Sequence, residues 1–237
     1  MISSETDYAV YLDDFEETDI FHNTFNGYPA FYINDIVNLD IRNNIFYSET
    51  DFAFESLDAL GATDVVDYNL YYTPATNANF VDIGVNVYAD LAAWQTGDAT
   101  KNINSIEVDP LFIATGDLHI SSPLANDLGD NTVGVTVDID GDTRPIGSST
   151  VVDMGADEFT PFGNDAGMVS IDAPVMQLTT GIQNVDVTIE NLGANTLTAC
   201  DIAWEVNGMP QTTYNWTGSL AYSGTDGPIT IGTYDFQ

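Results

Sequence analysis

The sequence is nearly devoid of positive charge. It carries 3 Lys and Arg residues against 37 Asp and Glu, a formal net charge of -34 over 237 residues. Nucleic acid is excluded as a partner, because phosphate contacts need cations. Anionic membranes are repelled for the same reason. So large an excess of carboxylate is best tolerated where salt screens like charges, and it favours metal cations and neutral or basic ligands. Cysteine is equally scarce. The single Cys200 permits no internal disulfide, and neither His22 nor His119 lies near it in sequence to activate it as a nucleophile. No apolar run reaches the roughly 18 residues that a membrane-spanning helix needs. Residues 1–7 lack the basic and apolar regions of a signal peptide, so the start reads as internal to a longer chain or as already trimmed.

What is present is a periodic apolar pattern. Hydrophobic residues make up 44% of the chain, enough to bury a core despite the charge. Residues 9–25, AVYLDDFEETDIFHNTF, align without a gap on residues 30–46, AFYINDIVNLDIRNNIF, at a shift of 21. Ala9 meets Ala30, Tyr11 meets Tyr32, Asp14 meets Asp35, Ile20 meets Ile41, Asn23 meets Asn44 and Phe25 meets Phe46. A looser copy runs through Asp67-Tyr68-Asn69-Leu70-Tyr71-Tyr72. A repeat of this length cannot bury its own apolar side and must stack on its neighbours. Within each copy the apolar–polar alternation is short, with β-branched and aromatic residues, and Asn, Asp and Gly separate the runs. That predicts strands. Asn23, Asn43 and Asn44 are placed at corners, where asparagine tolerates left-handed backbone and can bond to the stacked neighbour. Residues 48–65 and 74–105 read as excursions, the second with a short helix near Tyr88–Gln95.

Further on, Asp109-Pro110-Leu111-Phe112, Gly116-Asp117-Leu118-His119-Ile120, Ser121-Ser122-Pro123-Leu124-Ala125-Asn126-Asp127-Leu128-Gly129, Asp138-Ile139-Asp140-Gly141-Asp142-Thr143-Arg144-Pro145 and Asp153-Met154-Gly155-Ala156-Asp157-Glu158-Phe159 follow one another. As a set, over residues 8–160, they resemble the C-terminal end of bacterial right-handed parallel β-helix proteins of the pectate-lyase-like superfamily. The resemblance implies an all-β fold, a right-handed parallel β-helix over residues 1–160. It says little of activity, because the family includes lyases, hydrolases and adhesins. Leu118, Ile120, Leu124, Leu128, Val135, Val137 and Ile139 are expected to supply apolar strand faces that cap the stack. Arg144, among Asp138, Asp140, Asp142 and Asp153, is expected to form an ion pair or a clamp on backbone.

Residues 160–168 read as a linker. Beyond it, Val185-Asp186-Val187-Thr188-Ile189-Glu190 and Ile202-Ala203-Trp204-Glu205-Val206 alternate cleanly, and Asn207-Gly208 is a hairpin signal. With Trp216-Thr217-Gly218-Ser219-Leu220, this region resembles the Ig-like CARDB family of bacterial adhesion-related domains. The resemblance implies a partial Ig-like β-sandwich over residues 169–237, with one or two more strands expected beyond its end.

Asp138, Asp140 and Asp142 are the candidate metal ligands, as alternating carboxylates suited to calcium. Gly141 comes too early for an EF-hand loop. For catalysis, Asp13, Asp14 and Asp35 are candidate acids of a glycoside hydrolase. Arg42, next to Asn43 and in register with Phe21, is expected to point outward, which leaves a lyase without an evident base. Two functions therefore stand. One is a structural or adhesive module of a secreted or cell-surface bacterial protein, binding extracellular polysaccharide or cell-surface glycan, with calcium as the one suggested cofactor. The other is a polysaccharide lyase or glycoside hydrolase whose site lies partly outside these residues.

Overall fold

The computed structural model describes residues 8–74, 80–175 and 180–237, together with the backbone of residues 2–3. Residues 75–79, within the second expected excursion, lie outside the described residues. The chain divides into two compact units, Met1–Thr160 and Pro161–Gln237. Strand accounts for 47% of the described residues and helix for 5%, so the class is all-β.

The strands of the first unit are β1 (Ile2–Ser3), β2 (Val10–Phe21), β3 (Thr24–Asn26), β4 (Phe31–Arg42), β5 (Ile45–Tyr47), β6 (Phe54–Ser56), β7 (Val65–Asp67), β8 (Leu70–Tyr72), β9 (Val81–Ile83), β10 (Asn86–Tyr88), β11 (Ile106–Glu107), β12 (Phe112–Ala114) and β13 (Asp117–Ile120). A short helix, α1 (Leu91–Gly97), follows β10 and is capped by the Asp90 carboxylate. One parallel sheet has the order β1-β3-β5-β8-β11. The other runs β2-β4-β6-β9, with β7 also paired to β4 and β10 antiparallel on β9.

Residues that align in the sequence face each other in these ladders. Tyr11 pairs with Tyr32, Asp19 with Asp40, Ile20 with Ile41 and Phe25 with Phe46. Ile45 then pairs with Leu70 and Phe46 with Tyr71. In-register parallel stacking puts equivalent side chains in one row, so an inward position must stay apolar in every copy. Phe25, Phe46 and Tyr71 form such a row, with centroids 5.4 and 5.2 Å apart. Phe31 and Phe54 form a second at 5.6 Å, and Trp94 of α1 packs 5.7 Å from Phe54.

β2 and β4 are each bent at two corners. Left-handed backbone at Asp14 and Glu17 recurs at Asp35 and Asn38. A further corner sits at His22, Asn43 and Tyr68. Asn43 thus takes the expected conformation, but Asn23 and Asn44 do not. They lie one residue past the corner and stack their amides instead. Asn44 Oδ1 accepts the Asn23 N–H at 2.9 Å, and Asn69 Oδ1 accepts the Asn44 N–H at 2.9 Å.

The segment after β13 differs from expectation. Leu118 and Ile120 are buried, but Leu124, Leu128, Val137 and Ile139 are exposed, and Val137 makes a single bridge to Thr143. Burial comes instead from Ala125, Val152, Met154 and Ala156. The Met154-Gly155-Ala156 turn packs against β3 and β5. The Gly155 N–H reaches Asn43 O at 2.7 Å and the Ala156 N–H reaches Thr24 Oγ1 at 3.0 Å. A Cβ on Gly155 would sit 2.5 Å from Ile45 Cδ1, so only glycine fits.

The second unit contains β14 (Ala166–Ala173), β15 (Gly181–Asn191), β16 (Leu197–Ile202), β17 (Glu205–Val206), β18 (Met209–Pro210), β19 (Tyr214–Leu220) and β20 (Thr225–Phe236). Antiparallel sheets β14-β15-β20 and β16-β19 enclose Val187, Ile189, Leu197, Ile202, Trp216 and Ile231. Asn207 and Gly208, both left-handed, turn β17 into β18 as the hairpin signal requires. The linker reading of 160–168 is too long. Ala166 already pairs with Asn191, and Asp165 O accepts the Leu192 N–H at 3.0 Å.

Candidate functional sites

All three cationic side chains are committed to structural contacts. Arg42 is not free at the surface. Its Nε and Nη2 donate to Asp40 at 2.6 and 2.5 Å, its Nη1 donates to Asp130 at 2.7 Å, and it lies 5.4 Å from the Phe21 ring centroid. These carboxylates raise the guanidinium pKa further, so it cannot serve as a base. Lys101 is buried and donates to the carbonyls of Gly61 and Asp64. Arg144 is the clamp the sequence suggests, but its partners are Glu158 Oε1 at 2.8 Å and Gly155 O at 2.9 Å, not Asp138, Asp140 or Asp142. β-Elimination from a uronate needs a base at the α-proton. None of these three groups is available for it.

The candidate metal ligands are not a common set. Asp138 Oδ1 accepts the N–H groups of Asp140 and Asp142 at 3.0 and 2.8 Å, and its Oδ2 accepts the Glu158 N–H at 3.1 Å. Asp138 therefore staples its own turn. Asp140 turns to His119, whose Nε2 lies 2.9 Å from Asp140 Oδ2, and Asp142 is exposed. His119 Nδ1 meets Asp117. His119, Asp140 and Asp157 each bring a ligand-type atom within 4.8 Å of the others. In the sequence alone His119 has no second histidine or cysteine near it to suggest a ligand set. The only available signal was Asp117 two positions before it, since alternate strand residues share a face.

The surroundings of the two histidines shift their pKa values in opposite directions. His22 is buried in the corner row, with Nε2 2.9 Å from the Asn43 amide nitrogen. Burial, with Arg144 adding repulsion, lowers its pKa to about 3. Bonding to Asp117, with a smaller contribution from Asp140, raises that of His119. Imidazole NMR of the full chain is expected to show one ring neutral down to about pH 3 and the other still protonated above pH 6.5. In linkage terms, His22 loses stability as pH falls from 6.5 toward 3, whereas His119 contributes stability below 6.5 and loses it as pH rises through its folded value.

One outward row of the β2-β4-β6-β9 sheet carries an unusual set of side chains. Tyr11, Tyr32, Glu55 and Asp82 occupy paired positions across four strands. The Tyr11 and Tyr32 rings stack 4.9 Å apart and 5° from parallel, and Tyr11 is 51% exposed. Tyr8 leans on both, 5.6 and 5.0 Å away. Burial holds Glu55 above its ordinary value, with Asp82 adding to it, and burial raises Asp82 as well. By contrast, Asp14 and Asp35 are exposed corner residues, and Asp13 accepts from Asn34 at 2.7 Å. The acids expected for a hydrolase do not converge.

A cavity of about 470 Å³ lies elsewhere in the first unit, lined by Asn26, Tyr47, Glu49, Asp109 and Phe112. Tyr28 and Tyr47 donate to Glu49 there at 3.2 and 3.4 Å. Burial, followed by Glu49, pushes the Tyr47 phenol up to about 12, so it stays neutral and a donor. Cys200, half-buried in the second unit, has its thiol pushed up by burial and by Asp201, which opposes nucleophilic use.

No family model, curated protein or solved structure matches this chain. Among the described residues, no helix is long and apolar enough to cross a membrane.

Proposed function

We propose that the chain is a structural and adhesive module of a secreted or cell-surface bacterial protein, and that its first unit binds extracellular polysaccharide or cell-surface glycan without cleaving it. The single observation that carries this reading is the exposed tyrosine stack that runs into Glu55 and Asp82. The flat face of a sugar ring presents C–H groups that sit well on an aromatic face, while carboxylates accept its hydroxyls. Successive strands space such groups by about 4.8 Å, which suits an extended chain of repeating units.

The fold proposed for the first unit is a right-handed parallel β-helix. Its support is the two parallel ladders that share one register and one set of corners. For the second unit we propose a partial Ig-like sandwich of the CARDB type. Two antiparallel sheets support it, as does an apolar cleft of about 480 Å³ lined by Ile171, Val187, Ile202, Trp204 and Phe236.

The alternative is a glycoside hydrolase that uses Glu55 and Asp82. Its support is the pairing of two carboxylates beside an aromatic platform. Against it, hydrolases push their two carboxyl pKa values apart. Here both move up, and the first cause is burial in each case. The test is incubation with a panel of neutral and uronic polysaccharides, scored for retention, reducing ends and unsaturated uronate. Retention without new ends is expected. New ends that vanish in Glu55→Gln select the hydrolase instead.

A further inference from the structure

We propose that His119, Asp140 and Asp157 form a binding site for a divalent transition-metal cation of the zinc type, with Asp117 holding the imidazole in the ligating tautomer. Asp117 and His119 alternate on β13 and so share a face. Asp117 faces Nδ1 and fixes the proton there, which leaves the Nε2 lone pair pointing at Asp140 Oδ2, 2.9 Å away. Two acceptors do not rest at that distance without a cation between them. A proton serves that one contact.

The third group points to something larger than a proton. Asp157 is 6% exposed, and its Oδ2 accepts the Ile120 N–H at 3.2 Å. One of its carboxylate oxygens nevertheless lies within 4.8 Å of the ligand-type atoms of His119 and Asp140. Arg42, Arg144 and Lys101 pair elsewhere, so among the described residues only the His119 imidazole offers positive charge to Asp117, Asp140 and Asp157, one charge against three carboxylates. A buried carboxylate in that position costs free energy unless a charge of opposite sign meets it. A divalent cation meets all three groups at once.

The donor chemistry selects the metal class. One imidazole nitrogen with two carboxylates suits zinc and its neighbours, whereas calcium takes oxygen ligands throughout. An outer carboxylate on the second imidazole nitrogen is the usual support of such a ligand. This set shares only Asp140 with the Asp138, Asp140 and Asp142 nest. Asp138 keeps its role in the turn, which positions Asp140.

Calorimetry of the full chain with zinc chloride at pH 7.5 and physiological salt tests the assignment, with calcium chloride as the comparison. A single zinc per chain is expected. His119→Gln and Asp140→Asn should each weaken it at least tenfold, and Asp117→Asn by about tenfold. Asp142→Asn should leave it unchanged. Asp140 and Asp142 are exposed, so these two variants keep the test valid should His119→Gln fold poorly. On zinc addition the His119 ring resonances should move while those of His22 stay. Zinc binding indifferent to His119→Gln and Asp140→Asn, or His119 resonances unmoved at saturation, overturns the assignment. So does tighter binding of calcium that is lost in Asp142→Asn, which marks the oxygen nest instead.

Discussion

Replacing Arg144 with methionine is expected to destabilise the first unit by about 3–5 kcal/mol, the cost of stranding one member of a buried ion pair. The Arg144 and Glu158 side chains are 1% and 0% exposed. Removing the guanidinium leaves a carboxylate inside the protein and frees two carbonyls, those of Asp153 and Gly155. The clamp matters because it shapes the turn that lays Gly155 on Ile45 and Thr24. The double variant Arg144→Met, Glu158→Leu should recover part of the loss, since an apolar pair of similar volume often replaces a buried ion pair at little cost. Recovery stays incomplete because Glu158 also accepts the N–H groups of Asp153 and Ile146. Urea unfolding followed by hydrogen exchange on peptides from residues 1–160 separates this unit from the other. A loss under about 1 kcal/mol would show that water reaches the pair.

Asn44→Ala is the next largest, at about 3 kcal/mol, because a buried polar group left without its partner costs about 1–3 kcal/mol. Asn44 is fully buried. Its Oδ1 serves the Asn23 N–H, and its Nδ2 donates to the carbonyls of Ile20 and Arg42 at 2.8 and 2.9 Å. Asn23→Ala should cost less, about 1 kcal/mol, because Asn23 is only partly buried. The same exchange measurement orders the two. Equal losses would mean that the amide row does not act as a ladder.

The rows of the first unit were legible because parallel in-register pairing repeats the same environment. Phe25 over Phe46 and Ile20 over Ile41 look alike in sequence because they fill one core. Corners were legible only in part. Left-handed backbone fell on His22 and on the bulky Tyr68 as well as on Asn43, because the stacked register overrides local propensity at Tyr68. The apolar alternation through Val135, Val137 and Ile139 misled, since Val137 and Ile139 lie exposed and Val137 pairs only by a bridge to Thr143 among the described residues. His119 and Asp157 were invisible as partners because they meet through tertiary folding of a segment without a repeat. The tyrosine row was present in the alignment as Tyr11 over Tyr32, but its continuation into Glu55 and Asp82 depends on excursions of irregular length.

The central claim is that the tyrosine row is a glycan-binding face. Its most direct test takes the polysaccharide that the full chain retains best and measures affinity for the wild type and for Tyr11→Ala, Tyr32→Ala. The account predicts retention by the wild type, at least a tenfold loss in the double variant, unchanged exchange protection of the core, and no new chain ends. Affinity that survives the double variant, or cleavage of the polysaccharide, would contradict it.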